Sequence, residues 1–269
     1  MRVGFVGAGR MGRPMVERLV AAGHEVRVLG RTPEACQTLR KIGAVPVDTA
    51  AAVTEAADVV CVCVFSDEQV KEVCLADGLL DAMPDGSVLV VHTTGSPATV
   101  RGLEKEARPG VGVIDCPVSG GPHNIAAGAI TLLAGGAAGR LDRARPVLQA
   151  YGDPILHAGP LGAGQALKLV NNAVFAANIG LLAQAVRLGA QLGIDEKDLL
   201  NALPHGSAAS RALESAARAG SVATFAAVVD EFLSKDIAVV RSAAADLGAD
   251  LGVLDDAIRA LSDASAARD

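Results

Sequence analysis

The chain has no tryptophan, one tyrosine and only 2% aromatic residues, although 51% of it is hydrophobic. Its core is therefore aliphatic, and it has few rings on which nucleobases could stack. Basic runs are missing too. With a net charge of −6 and no dense Lys/Arg cluster, it lacks the electrostatic footprint of a nucleic-acid-binding protein. The five cysteines show no metal-ligand spacing, and no metal site is expected. Cys61 and Cys63 fall on one face of a strand in DVVCVCV and read as small buried hydrophobes of a reducing compartment. Cys116 stands beside candidate site residues. No apolar run reaches membrane-spanning length without interruption; the longest carries Lys168, Asn171, Asn172, Asn178, Gln184 and Arg187. The sequence enters directly at MRVGFVGAG, and no secretory signal is expected. The expectation is a cytoplasmic, soluble protein with neither nucleic-acid nor membrane partners.

What is present begins with RVGFV, an apolar run that breaks into Gly7-Ala8-Gly9-Arg10-Met11-Gly12 before a helical pattern over 13–22. Strand, G-x-G-x-x-G, helix is the context in which this motif binds a dinucleotide. Gly7 permits the tight turn, Gly9 lets backbone approach a pyrophosphate, and Gly12 lets helix and strand pack closely. The helix amino terminus then faces the phosphates. The second strand, EVRVL, runs into Gly30-Arg31-Thr32-Pro33. An NAD site usually has Asp or Glu at this strand end for the ribose 2′-hydroxyl. Arg31 and Thr32 stand there instead and suit a 2′-phosphate, so NADP is the expected cofactor and NAD the alternative. The competing reading of Arg31 is an ordinary solvated loop charge.

Strand and helix continue to alternate. AVPV (44–47), DVVCVCV (58–64), the strand opening SVLVVHTTGSP (87–97), VGVIDCPVSGGP (111–122), AITLLAGG (129–136) and PILHAG (154–159) read as strands. TAAAVTEA (49–56) reads as a helix, Asp67 as the cap of another, and LDRARPVLQAY as a helix broken at Pro146. Continuous apolar strands with helical crossovers predict an α/β, doubly wound, mostly parallel sheet. Ligands bind outside the carboxyl ends of such strands, where Phe65-Ser66, Thr93-Thr94 and Ser119-Gly121 fall. Beyond Gly162 the pattern is helical throughout, and the Ala-rich tail from Ser262 is expected to fray. The predicted boundary lies near residue 160: a dinucleotide-binding Rossmann domain over 1–160, then an all-helical domain over 161–269.

GAGQALKLVNNAVFAANIGLLAQAVRLGAQLG predicts one long helix joining the two domains, roughly 40 Å at about 1.5 Å per residue. Its few polar side chains include Lys168, Asn171 and Asn172, at spacings that put both amides beside the lysine. They are costly to bury without partners. So apolar a helix also needs cover on several faces, which predicts a homodimer or higher homo-oligomer.

GFVGAGRMGRPM, DCPVSGGPHNIAAGAITLLAGG, GQALKLVNN and SKD, in this order and spanning essentially the whole chain, resemble the β-hydroxyacid dehydrogenase family. Its members include 3-hydroxyisobutyrate dehydrogenase and tartronate semialdehyde and glyoxylate reductases. The resemblance implies an NAD(P)-dependent oxidoreductase acting on a small 3-hydroxy acid or semialdehyde, a carboxylate substrate. It implies that Lys168 is the catalytic general acid/base and that Ser119, Gly120 and Gly121 grip the substrate carboxylate, with Asn172 and its neighbour Asn171 beside the substrate. Gly7, Ala8, Gly9, Arg10, Met11, Gly12, Arg31, Thr32, Phe65, Ser66, Thr94 and Lys235 are the implied cofactor contacts.

The chemistry of these residues agrees. Hydride transfer at a hydroxyl carbon needs a group to exchange the hydroxyl proton, and a lysine desolvated on an apolar helix can serve. The competing reading of Lys168 is a snorkelling helix-end lysine, and that of Asn171 is helix packing. The chain departs from the family pattern in three places. Phe65-Ser66 replaces Leu-Pro, Gly95 replaces Ile and is expected to loosen its loop, and Pro122–Ala127 replaces a Gly-Ala spacing. The third brings His123 into reach of the substrate or leaves it as a surface histidine. Two other functions compete: imine reduction, whose enzymes commonly carry Asp or Tyr at the lysine position, and a catalytically silent nucleotide-binding scaffold.

Overall fold

The computed structural model describes residues 1–266. Its first part alternates β1 (Arg2–Val6), α1 (Gly12–Ala21), β2 (Glu25–Leu29), α2 (Pro33–Lys41), β3 (Val45–Val47), α3 (Ala50–Val53), β4 (Val59–Val62), α4 (Asp67–Lys71), α5 (Leu79–Ala82), β5 (Val88–Val91), α6 (Pro97–Glu106) and β6 (Gly112–Asp115). Then follow β7 (Val118–Ser119), α7 (Pro122–Ala126), β8 (Ile130–Gly135), α8 (Ala138–Leu148) and β9 (Gly152–Gly159). Among the described residues nine strands form one sheet, ordered β3-β2-β1-β4-β5-β6-β8-β7, with β9 beside β8. From β3 to β6 every pairing is parallel. β8 runs antiparallel to β6 and β7. The doubly wound Rossmann class expected from the alternation is the class observed. β4 and β5 are buried at every position because helices cover both faces of the sheet, which is why they read as unbroken apolar runs.

Four local expectations are corrected. Segment 111–122 splits at Cys116-Pro117, yet β6 and β7 share one antiparallel register on β8, from Asp115↔Gly135 to Ser119↔Thr131. Pro117 has no N–H to give the ladder, but its carbonyl accepts from Leu133 N at 3.0 Å. α8 runs unbroken through Pro146, which sits near its end on the exposed face. The helix expected over 49–56 stops at Val53, where the Thr54 hydroxyl donates to Ala51 O and Ala82 O, and Ala56 turns left-handed. The cap of α4 is Ser66, whose Oγ accepts from Gln69 N. Asp67 is the first helical residue and turns its carboxylate to Ser96 N at 2.7 Å.

The chain divides into two compact units, Met1–Lys168 and Leu169 onward, and the division falls inside the long helix α9 (Ala163–Gln191). The second unit continues with α10 (Glu196–Ala202), α11 (Arg211–Ala219), α12 (Val222–Asp246) and α13 (Val253–Ala266). Ser210 and Ser221 cap α11 and α12 through their hydroxyl oxygens, which accept from Leu213 N and Thr224 N. Residues 267–269 of the Ala-rich tail lie outside the described residues. Within this unit α9 and α13 approach to backbone contact at Gly180, where a Cβ would lie 1.8 Å from Ala257 O. By length and composition α9 would also cross a membrane, but half of its most apolar stretch is buried inside the protein.

Candidate active site

The G-x-G-x-x-G turn joins β1 to α1, and its glycines have separate causes. Gly7 has φ +97°, and a Cβ there would lie 2.1 Å from Cys63 O. A Cβ on Gly12 would lie 2.0 Å from Gly7 O. Gly9 is different: a Cβ there meets nothing within 4 Å. Protein packing does not demand that glycine, and the space in front of it is open. That space belongs to a cavity of about 580 Å³ lined by residues 7–13, Leu29, Arg31 and Phe65 among others. α1 opens onto it with no side-chain cap and no acid in its first turn, leaving helix-end N–H groups for an anion. The cavity fits the phosphates and ribose of a dinucleotide. Arg10 and Arg31 line it, and β2 ends without an acid. Thr32, expected beside Arg31, caps α2 by accepting from Ala35 N at 3.2 Å. Phe65 is 51% exposed, and its N–H donates to Gln69 Oε1 at 2.9 Å, so α4 holds it at the cavity.

The loop after β5 carries Thr93-Thr94-Gly95. Thr93 is buried, and its hydroxyl both accepts from Val64 N and donates to Val64 O, each at 3.0 Å, which ties the loop to the end of β4. Thr94 is half-buried. Gly95 does not loosen the loop, contrary to expectation. Its N–H donates to Gln165 Oε1 at 3.0 Å, and the place of its missing Cβ is filled by the Asp67 carboxylate, 2.1 Å away. A side chain at Gly95 and the Asp67 carboxylate could not share this space.

Asp115, at the end of β6, is fully buried. Its carboxylate accepts from Gly162 N and Gln165 N, each at 2.7 Å, anchoring the first turn of α9 to the sheet. Burial pushes its pKa up, while those N–H groups and that of Gly164 pull it back. Gly164 allows the approach, since a Cβ there would lie 2.2 Å from Leu133 O. Lys168, half-buried, follows Gln165 by three residues on the same helix. Ser119 ends β7, the continuation of β6, and leads into Gly120, whose φ of +130° suits glycine. Gly121 N donates to Asn124 Oδ1 at 2.9 Å, so Asn124, unmarked in the sequence, holds the Ser-Gly-Gly turn. His123 is exposed on α7.

In the second unit the two asparagines are unlike. Asn171 is exposed and Asn172 buried, because adjacent helical positions point about 100° apart. Asn172 Nδ2 donates to Asp236 Oδ2 at 2.6 Å, and Asn171 Nδ2 donates to Asn172 Oδ1 at 3.1 Å. Lys235 pairs with Asp236 Oδ1 at 2.8 Å. Asp236 is the residue sequence reasoning passed over, though it stands in the SKD motif. An acceptor-only carboxylate there fixes which way the Asn172 amide faces.

Cys116 is core. Burial pushes its thiol well above the ordinary range, and Cys61 and Cys63 up to about 12, so all three are protonated, unreactive thiols. Behind the Thr93 loop, His92 Nδ1 lies 2.7 Å from Cys116 O and its Nε2 lies 2.8 Å from Tyr151 Oη. A carbonyl only accepts, so Nδ1 carries the proton and Nε2 accepts from the tyrosine hydroxyl. Burial lowers the His92 pKa to about 4. A base held neutral by the fold stabilises it fully above the unfolded value near 6.5 and loses that contribution as pH falls towards about 4, in total roughly 3 kcal/mol. Asp115, with its raised pKa, works in the opposite direction, so the informative quantity is a difference between variants. Between about pH 7 and pH 4.5, urea unfolding of the parent should lose roughly 2 kcal/mol more than that of His92→Gln, whose amide keeps both hydrogen bonds without titrating. Equal losses would refute the assignment.

A doubly wound sheet with a glycine turn and an uncapped helix end at its carboxyl edge defines a dinucleotide-binding protein. Comparison with known proteins sharpens that class. Residues 2–159 match the family model described as the NAD binding domain of 6-phosphogluconate dehydrogenase. Residues 162–269 match that of the NAD-binding of NADP-dependent 3-hydroxyisobutyrate dehydrogenase. The chain is 36% identical to a 3-hydroxyisobutyrate dehydrogenase of Pseudomonas aeruginosa, covering 78% of this chain and 72% of the relative. It is 35% identical to an NAD-dependent L-serine dehydrogenase of the same organism, covering 79% and 72%. In structure it resembles a Mycobacterium tuberculosis 3-hydroxyisobutyrate dehydrogenase with L-serine, at a TM-score of 0.87 and 30% identity over 98% of this chain and 94% of the other. The chain belongs to the β-hydroxyacid dehydrogenase family.

Proposed function

We propose that the protein transfers hydride between NADP(H) and a small 3-hydroxy acid or its semialdehyde, with Lys168 as general acid/base. The observation that carries this reading is the anchoring of the lysine helix. Its first turn is bonded through Asp115 to the strand that leads into Ser119, and through Gln165 to the loop that holds Thr94. The bound nicotinamide supplies or takes the hydride. In reduction the Lys168 ammonium donates its proton to the substrate carbonyl oxygen, and in oxidation the neutral amine takes the hydroxyl proton. The Ser119 hydroxyl and the neighbouring backbone N–H groups suit the substrate carboxylate. Thr94, Phe65 and Lys235 are proposed cofactor contacts. Asn171 and Asn172, a turn beyond Lys168 on α9, are proposed substrate contacts.

NADP is favoured by Arg31 in the cavity and by the missing acid at the end of β2. The relative named as NAD-dependent makes this a point to measure. A panel of 3-hydroxyisobutyrate, L-serine, short semialdehydes and glyoxylate, run with NADPH and NADH, tests the reading. NADPH should win by at least about tenfold in kcat/KM, and Arg31→Ala should erase about that factor, the worth of a charge-assisted hydrogen bond. Turnover with no substrate would sink the proposed reaction; parity of the two cofactors would sink the role of Arg31. Imine reduction is disfavoured by a lysine where imine reductases commonly carry Asp or Tyr. A silent scaffold would have no use for the polar groups gathered on this helix.

The helical unit supports an oligomer. α9 exposes Val170, Val174, Leu181 and Leu188 along one face, Leu192 is exposed just past its end, and α12 exposes Val228 and Phe232. An apolar stripe of this length is unusual on a monomer. Light scattering at micromolar concentration should give at least a dimer; a monomer would contradict the reading.

A further inference from the structure

We propose that Gln165 is a positioning residue for hydride transfer, its side-chain amide setting the loop that carries Thr94 against the helix that carries Lys168. The inference rests on the reaction proposed above. Gln165 is 1% exposed. Its Oε1 accepts from Gly95 N at 3.0 Å and its Nε2 donates to Thr93 O at 2.7 Å, so one amide spans the residues on either side of Thr94. Its own backbone N–H is held by Asp115. Both ends of the bridge are therefore fixed: the helix end by Asp115, and the loop end by the Thr93 hydroxyl on Val64 and by Asp67 on Ser96.

A helix that needed only anchoring already has Asp115. The second, bidentate connection runs to the three-residue stretch whose middle member, Thr94, is a proposed cofactor contact. It starts one turn before the proposed proton donor. Hydride and proton must reach adjacent atoms of one substrate, and a misplacement of about 1 Å between such groups costs about 10²-fold in rate. The required chemistry is also narrow, because the bridge needs a donor and an acceptor on the same planar group. Glutamate has the shape of glutamine but, when ionised, only accepts, and it would face the Thr93 carbonyl with a negative charge. Protonated, it regains an O–H donor while keeping a carbonyl acceptor.

The test uses the full chain with Gln165→Glu and Gln165→Met. At neutral pH both variants should bind NADPH within a few-fold of the parent yet lose about 10²-fold in kcat, with a larger primary isotope effect from NADPH deuterated at the transferred position. As pH falls, Gln165→Glu should recover relative to the parent, and Gln165→Met should not. The neutral acid is the working form, and burial raises its pKa, so recovery begins above the ordinary glutamate value of about 4.3. If one variant fails to fold, the other is judged on rate and isotope effect. Folded variants with parental kcat and isotope effect overturn the proposal. So does failure of both to fold, since Gln165 would then serve stability only. A parent that binds NADPH but turns over nothing on the panel removes the reaction and this proposal together, whereas an active parent with indifferent variants removes this proposal alone.

Discussion

Lys168→Ala should fold like the parent, bind cofactor, and lose about 10²–10⁴-fold in kcat, the usual contribution of a positioned proton donor or acceptor. The fold should survive because the first turn of α9 is held by Asp115 and Gln165, both upstream of the lysine. Lys168→Arg separates proton transfer from mere charge. A guanidinium keeps the positive charge but does not deprotonate in proteins, so it cannot take the hydroxyl proton in the oxidative direction. It should oxidise hydroxy acids as poorly as the alanine variant. A folded Lys168→Ala enzyme with parental kcat in both directions would remove the lysine from the mechanism.

The second large effect separates two glycines of one motif. Gly12→Ala drives a methyl to within 2.0 Å of Gly7 O and 2.8 Å of Phe5 Cε1. Backbone cannot yield as a side-chain tip does, so the start of α1 must shift away from β1. The expected destabilisation is about 3 kcal/mol, with cofactor binding lost as the turn deforms. Gly9→Ala meets no protein atom within 4 Å. Its stability should stay within about 0.5 kcal/mol of the parent while NADPH affinity falls about 10–100-fold, because the methyl occupies the approach of the phosphates. Thermal unfolding beside cofactor titration reads both quantities. Equal destabilisation by the two substitutions would mean that the space before Gly9 is not a ligand site.

Much of the first unit was readable because its signals are local. Three glycines at fixed spacing specify one turn, and unbroken Val runs such as VLVV specify strands covered on both faces. Readings failed where a distant residue decided the outcome. Gly95 looked like a loosened loop, but Asp67, on another crossover, occupies the space its side chain would need. Asp67 looked like a cap because it opens α4, but its carboxylate is drawn to Ser96 N and Ser66 caps instead. Spacing set Asn171 and Asn172 beside Lys168, but only the structure shows Asn172 buried against Asp236 and Asn171 exposed. Asn124, Asp115 and Gln165 carried no separate signal; each lies in a quoted motif whose other residues drew the attention.

By itself the sequence determined the strand–helix alternation, the dinucleotide turn and the family motifs, since each depends on backbone geometry and periodicity over a few residues. Only the tertiary structure decided which buried polar groups meet. Asp115 finds Gly162 across 47 residues, and Gln165 finds Gly95 across 70. An unpaired polar group is costly in an apolar interior, so each must have a partner, but its identity depends on which loops the sheet order brings to the same edge. The loop after β5 and the end of β6 are neighbours because those strands pair, and the first turn of α9 is bonded to both.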